Sequence, residues 1–225
     1  TNTNWIAERL TARGIALGEV RIIPDDEDVI GRTAVELSQS FDYVFSTGGI
    51  GPTHDDITAE SVSKAFGLEL QRNEEAYSML LEHYGEDELT DARAKMALIP
   101  KGSKLIPNPV SAAPGFVIDN LFIMAGVPRI MQAMFDHIIE TIDAGKPILS
   151  NTVACVLPES TVADDIAELQ NRFPDVLIGS YPHYRGGVLG LSIVMRSLNE
   201  ENLKLVTSDV IDIITKYGDE PRALS

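Results

Sequence analysis

The chain is short of cysteine, of positive charge and of long apolar runs, and each shortage closes off a class of protein. Cys155 is the only cysteine in 225 residues. No internal disulfide can form, so a reducing compartment, the cytoplasm, is the expected setting. Cys155 lies in the apolar stretch 152–157 and reads as a small core residue rather than a nucleophile. Lysine and arginine number 18 against 34 aspartates and glutamates, a net charge of −16. A nucleic-acid backbone demands a positive surface, which excludes it as a partner. The longest apolar runs, such as 121–127, fall far short of the ~18 residues of a membrane span, so no membrane partner is expected. The opening Thr1-Asn2-Thr3-Asn4 is neither basic nor apolar, unlike a secretory leader.

What is present is an ordinary globular composition, 44% hydrophobic and 23% charged, arranged in alternating helical and strand patterns. Residues 4–13 read as a helix stopped by Gly14, 15–23 as a strand, 27–40 as a helix and 43–45 as a short apolar strand. A helix over 59–66 has Thr58 as its expected N-cap. Residues 74–84 and 88–97 read as helical, and 116–118 with 121–124 as a hairpin turning at Asp119-Asn120. The clearest helix covers 127–142, with Val127, Ile130, Met131, Met134, Phe135, Ile138 and Ile139 at helical spacing. Helix–strand alternation with short connections predicts an α/β domain on a parallel sheet. A boundary is expected at Ala144-Gly145-Lys146-Pro147, followed by strand, helix, two strands and helix, a small α+β second domain.

The chemistry concentrates in one loop, Thr47-Gly48-Gly49-Ile50-Gly51-Pro52-Thr53-His54-Asp55-Asp56-Ile57-Thr58. It follows an apolar strand and precedes a helix, which in an open parallel sheet is the carboxyl edge where ligands bind. Gly48, Gly49 and Gly51 let the backbone turn sharply and approach a ligand, and their N–H groups with the helix start are candidates to cradle a phosphate. An acidic protein that binds phosphate must supply positive potential locally. Asp55 and Asp56 beside such a cradle would repel the ligand unless they hold a divalent cation. Mg²⁺ is held in this way, by one or two carboxylates plus substrate phosphates. The alternative is that either aspartate caps the helix or faces solvent. His54 is a candidate metal ligand or a solvent-facing loop residue. Arg93 and Arg129 are candidate phosphate clamps, with surface salt bridges as the alternative, and Asn108 shapes a ligand loop or caps a turn.

These residues closely resemble the signature of the N-terminal domain of the competence/damage-inducible protein A (CinA) family, a branch of the molybdopterin-binding, MoaB/Mog-like superfamily. Further matches follow in family order: Arg93-Ala94-Lys95-Met96-Ala97-Leu98-Ile99-Pro100, Asn108-Pro109, Ala113-Pro114-Gly115-Phe116 and Gly126-Val127-Pro128-Arg129. Leu157-Pro158-Glu159-Ser160 and Gly179-Ser180-Tyr181-Pro182 resemble the family's small second domain. The resemblance implies a mostly parallel sheet sandwiched by helices over 1–145, a small α+β domain over 150–218, and a homo-oligomer. It also implies a phosphate-bearing small-molecule partner, a nucleotide or molybdopterin.

Related enzymes adenylate molybdopterin or act in its metal insertion. CinA-type domains are associated with metal-dependent hydrolysis of nucleotide pyrophosphates such as ADP-ribose, and a relative occurs in eukaryotic FAD synthase. Asp56 matches the superfamily's functional loop aspartate, and Asp55 stands where molybdopterin adenylyltransferases tend to carry arginine. The expected function is therefore hydrolysis of a nucleotide pyrophosphate. Asp55 and Asp56 would be catalytic and would hold Mg²⁺, Mn²⁺ or Co²⁺, while Gly48, Gly49, Gly51, Thr53, Arg93, Asn108 and Gly126 would bind the ligand. The alternatives are a molybdopterin adenylyltransferase-like role and a non-catalytic pterin- or nucleotide-binding module. Family members begin with an apolar strand and a Gly-Asp-Glu motif, and Thr1-Asn2-Thr3-Asn4 resembles the segment that follows it.

Overall fold

The computed structural model describes residues 2–146, 148–185 and 188–224. Thr1, and Pro147 at the end of the expected boundary turn, lie outside the described residues. The chain divides into two compact units, one of Thr1–Leu10 with Ala16–Ala144, the other of Thr11–Ile15 with Gly145–Ser225.

The larger unit opens with helix α1 (Asn2–Ala12), which ends before Gly14 at φ +72°. Helix α2 (Glu27–Ser40) begins where the Asp26 carboxylate accepts from the Val29 N–H, an N-cap with Glu27 and Asp28 in the first turn. Strand β1 (Val44–Thr47) leads through the glycine-rich loop into α3 (Thr58–Ala65). Strand β2 (Leu70–Arg72) precedes α4 (Glu74–Tyr84), which is capped by Asn73. A short helix α5 (Asp91–Ala94) runs into a 3₁₀ turn, Lys95–Ala97, and then β3 (Leu98–Pro100). Strands β4 (Lys104–Ile106), β5 (Gly115–Ile118) and β6 (Leu121–Met124) precede α6 (Pro128–Ile139), which has Pro128 in its first turn.

The α/β class holds, with a four-stranded sheet in the order β1-β6-β5-β4. Only β1 and β6 run parallel among these strands, with Val44 opposite Leu121 and Thr47 opposite Met124, while β5 and β4 add antiparallel. The described sheet is thus mixed rather than mostly parallel. The cause is local: Asp119, at φ +51°, turns β5 straight back into β6 as a hairpin. One face buries Val44, Phe116, Ile118, Leu121 and Ile123 against Ile30, Ala34, Val62 and Ile99. On the other face Phe45 meets Phe135 edge-on at 5.2 Å, and Trp5 meets the same ring at 5.7 Å. These contacts seat α6 and α1 beside the parallel pair.

Several expectations change. Residues 15–23 form no ladder with any described strand; Ile22 is 94% exposed and Val20 48%. A strand pattern becomes a strand only when a neighbour takes its backbone groups. Residues 88–97 hold the short α5 and a 3₁₀ turn rather than one helix. The N-cap of α3 is Ile57, not Thr58, and it makes no side-chain cap bond.

The smaller unit contains β7 (Leu149–Cys155), α7 (Glu159–Arg172), β8 (Val176–Arg185), β9 (Val188–Ser197), α8 (Glu200–Lys216) and β10 (Arg222–Leu224). Its sheet, β10-β7-β9-β8, is antiparallel throughout. Val153, Leu191 and Ile193 pack against Val162 and Leu169 of α7 and Val206 and Val210 of α8. Cys155 is buried in this core, and burial pushes its thiol up from the ordinary range, the environment of an inert cysteine. Among the described residues no helix is long and apolar enough to cross a membrane.

Candidate functional site

The glycine-rich loop leaves the carboxyl end of β1, beside the end of its parallel neighbour β6. The two exits touch: the Gly48 N–H donates to the Met124 carbonyl at 2.9 Å, and a Cβ on Gly126 would lie 3.1 Å from the Gly48 Cα. Gly48 and Gly49 take φ of +107° and +69°, the left-handed region that favours glycine. A Cβ on Gly49 would stand 2.1 Å from the Thr58 hydroxyl oxygen. The Thr58 N–H donates to the Gly49 carbonyl at 3.0 Å and its hydroxyl reaches the Gly48 carbonyl at 3.3 Å, so Thr58 closes the loop rather than capping α3.

Asp56 folds back into the loop. Its carboxylate accepts the Thr53 N–H at 2.9 Å, the Thr53 hydroxyl and the Gly51 N–H. Burial alone would raise this carboxyl, but those three donors outweigh it and hold Asp56 below the usual carboxylate range. Asp55 also sits low, through the Thr53 hydroxyl first, then its own N–H. Both are therefore ionised at neutral pH. A lowered folded value means that the stabilisation is present above the ordinary aspartate range and is lost as the pH falls through the lowered one.

The Thr53 hydroxyl lies 2.6 Å from Asp55 Oδ1 while also contacting Asp56 Oδ2. It has one proton and can satisfy only one of them at a time. Gly51 and Thr53, expected to offer N–H groups to a phosphate, thus spend them on Asp56. No described residue takes the N–H of Gly49 or Ile50, and α3 begins without a side-chain cap. These are the donors left to a ligand.

The remaining candidates scatter. The Arg93 guanidinium donates to the Glu88 carbonyl at 2.6 Å and lies over the Tyr84 ring at 4.3 Å, engaged at the α4–α5 surface. Asn108 is 4% exposed. Its amide donates to Ser111 Oγ and the Ala113 carbonyl, while its Oδ1 accepts from the Val110 and Ser111 N–H groups. It organises the 108–113 turn and has no group left over. The His54 side chain is 99% exposed, with Nδ1 3.9 Å from Asp55 Oδ1. Gly126 accepts at its carbonyl from the Asn2 amide at 2.9 Å. Arg129, in the first turn of α6, is exposed and pairs with no described carboxylate.

Lys95 was not among the expected site residues, yet its ammonium donates to the Thr53 carbonyl at 3.0 Å and the Asp56 carbonyl at 2.9 Å. The missed signal is the break between α5 and the 3₁₀ turn, which Lys95 opens. In one continuous helix its direction could not be anticipated. Among the described residues no group of three or more His, Cys, Asp and Glu side chains is placed to hold a metal. Asp55 and Asp56 are thus an open pair, not a closed cage.

Comparison with known proteins agrees with this architecture. Residues 1–145 match the family model described as "Probable molybdopterin binding domain", and residues 147–217 match "FAD synthase, middle domain". A protein of Archaeoglobus fulgidus is 36% identical over 184 residues, covering 81% of this chain and 79% of its own. One from Pyrobaculum aerophilum is 32% identical over 238 residues, covering 97% and 90%. The crystal structure of the protein CinA with unknown function from Thermoplasma acidophilum is similar with a TM-score of 0.59 and 36% identity, covering 63% of this chain and 86% of that one. The loop at the end of the parallel pair and the match across residues 1–145 agree: the chain belongs to the molybdopterin-binding, MoaB/Mog-like family, in its CinA branch.

Proposed function

We propose that the chain binds a phosphate-bearing small molecule at the 48–56 loop and, with a divalent cation, hydrolyses a nucleotide pyrophosphate of the ADP-ribose or FAD kind. One observation carries this reading: the Asp55 and Asp56 carboxylates meet on the single Thr53 hydroxyl. One proton among three oxygens leaves a deficit of positive charge. The donor set fits Mg²⁺, Mn²⁺ or Co²⁺ in part, because two carboxylates do not complete a shell. Mg²⁺ keeps several waters and takes substrate phosphates as its other ligands. When bound, such a cation supplies charge stabilisation to the pyrophosphate oxygens and acidifies a water.

The chain's own residues do the rest. Asp55 and Asp56 stay ionised at neutral pH. Gly48 and Gly49 hold the left-handed path that closes the loop on Thr58. The N–H groups of Gly49 and Ile50, with the start of α3, face the ligand with partial positive charge. Arg129, which pairs with no described carboxylate, adds a guanidinium at the same edge. The descriptions of the two matching domain families, molybdopterin binding and FAD synthase, support a phosphate-bearing partner.

A second reading, a non-catalytic binding module, is favoured by Asp56 itself, whose carboxylate is engaged as the loop's internal acceptor. Product chromatography after incubation with ADP-ribose and FAD under Mg²⁺, Mn²⁺ or Co²⁺ separates the two. Metal-dependent turnover supports the hydrolase. No turnover under any metal, with tight binding of a pterin, gives the case to the binding module.

A homo-oligomer is part of the proposal, because a net charge of −16 does not forbid an apolar interface. Light scattering is expected to report a dimer or trimer, and a monomer at every concentration would count against it.

A further inference from the structure

We infer that Lys95 is the positioning residue of the loop: its ammonium fixes the Thr53–Asp56 turn by the backbone and sets the net charge that the turn presents to a phosphate. The inference rests on the loop being the metal and phosphate site proposed above. Lysine in an acidic protein ordinarily pairs with a carboxylate, and Lys64, Lys101, Lys204 and Lys216 do so here. Lys95 instead spends two of its three N–H donors on the carbonyls of Thr53 and Asp56, 42 and 39 residues away in the chain.

Those two carbonyls bracket the acidic pair. Holding both from one nitrogen ties together the two ends of the turn in which the Thr53 hydroxyl meets both carboxylates. The remaining N–H has no described acceptor. The half-buried position of Lys95 shields its charge less than an exposed lysine's would be.

The charge has a direct consequence. Two ionised aspartates and one ammonium sum to −1, and a divalent cation turns that into +1, attractive to phosphate. Without the ammonium the same cation only brings the loop to zero. Removing the Lys95 charge should therefore act in opposite directions on the two ligands: the cation binds more tightly because it loses a repelling neighbour, and the phosphate binds more weakly. A purely structural lysine, once removed, would loosen both.

The experiment uses the full chain with Mn²⁺ alone, followed by electron paramagnetic resonance. AMP is then added in saturating Mn²⁺ and followed by calorimetry. AMP carries a phosphate but no pyrophosphate to split. Wild type is compared with Lys95→Met, Lys95→Gln and Lys95→Arg, each checked for fold by far-UV circular dichroism. Lys95→Met and Lys95→Gln are expected to bind Mn²⁺ about 3- to 10-fold more tightly and AMP about tenfold more weakly, with Lys95→Arg close to wild type in both. Parallel weakening of Mn²⁺ and AMP, or no change in either, overturns the charge role of Lys95 while leaving the proposed site intact. A wild type that binds no Mn²⁺ overturns the proposed site, and the charge role of Lys95 with it. Amide hydrogen exchange reads the other half of the inference without any ligand. The 53–57 amides should exchange at least tenfold faster in Lys95→Met and be restored in Lys95→Arg, and unchanged exchange in Lys95→Met overturns the positioning role.

Discussion

Asp56→Asn is expected to lower metal-dependent hydrolysis of ADP-ribose by ~10²–10³-fold, roughly 3–4 kcal/mol of transition-state stabilisation. The substitution isolates charge from shape. An asparagine carbonyl can still accept the Thr53 N–H now bound at 2.9 Å, so the loop keeps its path while the site loses one negative charge and holds the cation more weakly. Asp56→Ala removes the acceptor as well and leaves the Gly51 and Thr53 N–H groups without it. It should therefore also disorder the loop, seen as faster amide exchange over 51–57. Rates from steady-state assays under Mg²⁺, Mn²⁺ and Co²⁺ decide between the roles. If Asp56→Asn matches wild type at every metal concentration, the carboxylate is only the loop's internal hydrogen-bond acceptor.

Gly49→Ala is expected to abolish ligand binding, a loss of at least about 100-fold in affinity, while the far-UV circular dichroism spectrum stays unchanged. Two penalties combine. The residue sits at φ +69°, where a side chain costs ~1–2 kcal/mol. The new Cβ would also stand 2.1 Å from the Thr58 hydroxyl oxygen. Thr58 cannot simply step aside, since its N–H and hydroxyl hold the Gly49 and Gly48 carbonyls. The loop must move, and with it the Gly49 and Ile50 N–H groups.

Gly67 provides the control, with φ +66° and nothing within 4 Å of the place a Cβ would take. Gly67→Ala should show the backbone penalty alone, ~1–2 kcal/mol in urea denaturation, with ligand affinity retained. Equal ligand affinity in wild type and Gly49→Ala would remove this loop from the site.

Element existence was largely legible in the sequence, because it follows from period and punctuation. The apolar repeat from Ile130 to Ile139 produces α6, the helical patterns over 27–40 and 74–84 produce α2 and α4, and the strand-helix-strand-strand-helix order of the smaller unit follows from alternation. The three-residue strands β2, β3, β4 and β10 were not legible. Three residues carry no period, and they become strands only because a neighbour supplies hydrogen bonds. Residues 15–23 show the converse, a strand pattern without such a neighbour among the described residues.

The site divides along the same line. The sequence by itself determined the loop and its composition. Three glycines ahead of a helix impose a tight path, and Asp55 and Asp56 are acidic wherever they lie. It also determined that Gly126 lies between the 121–124 strand and the helix after it, since the motif opening α6 is contiguous. Only the tertiary structure decided which groups act together. Arg93 turned to Glu88 and Tyr84, Asn108 closed its own turn, and Lys95 reached the loop from about 40 residues away. The physical reason is that hydrogen bonds and charges act over a few ångströms of space. A sequence records which donors and acceptors exist, and the path of the backbone between them decides which pairs come within reach.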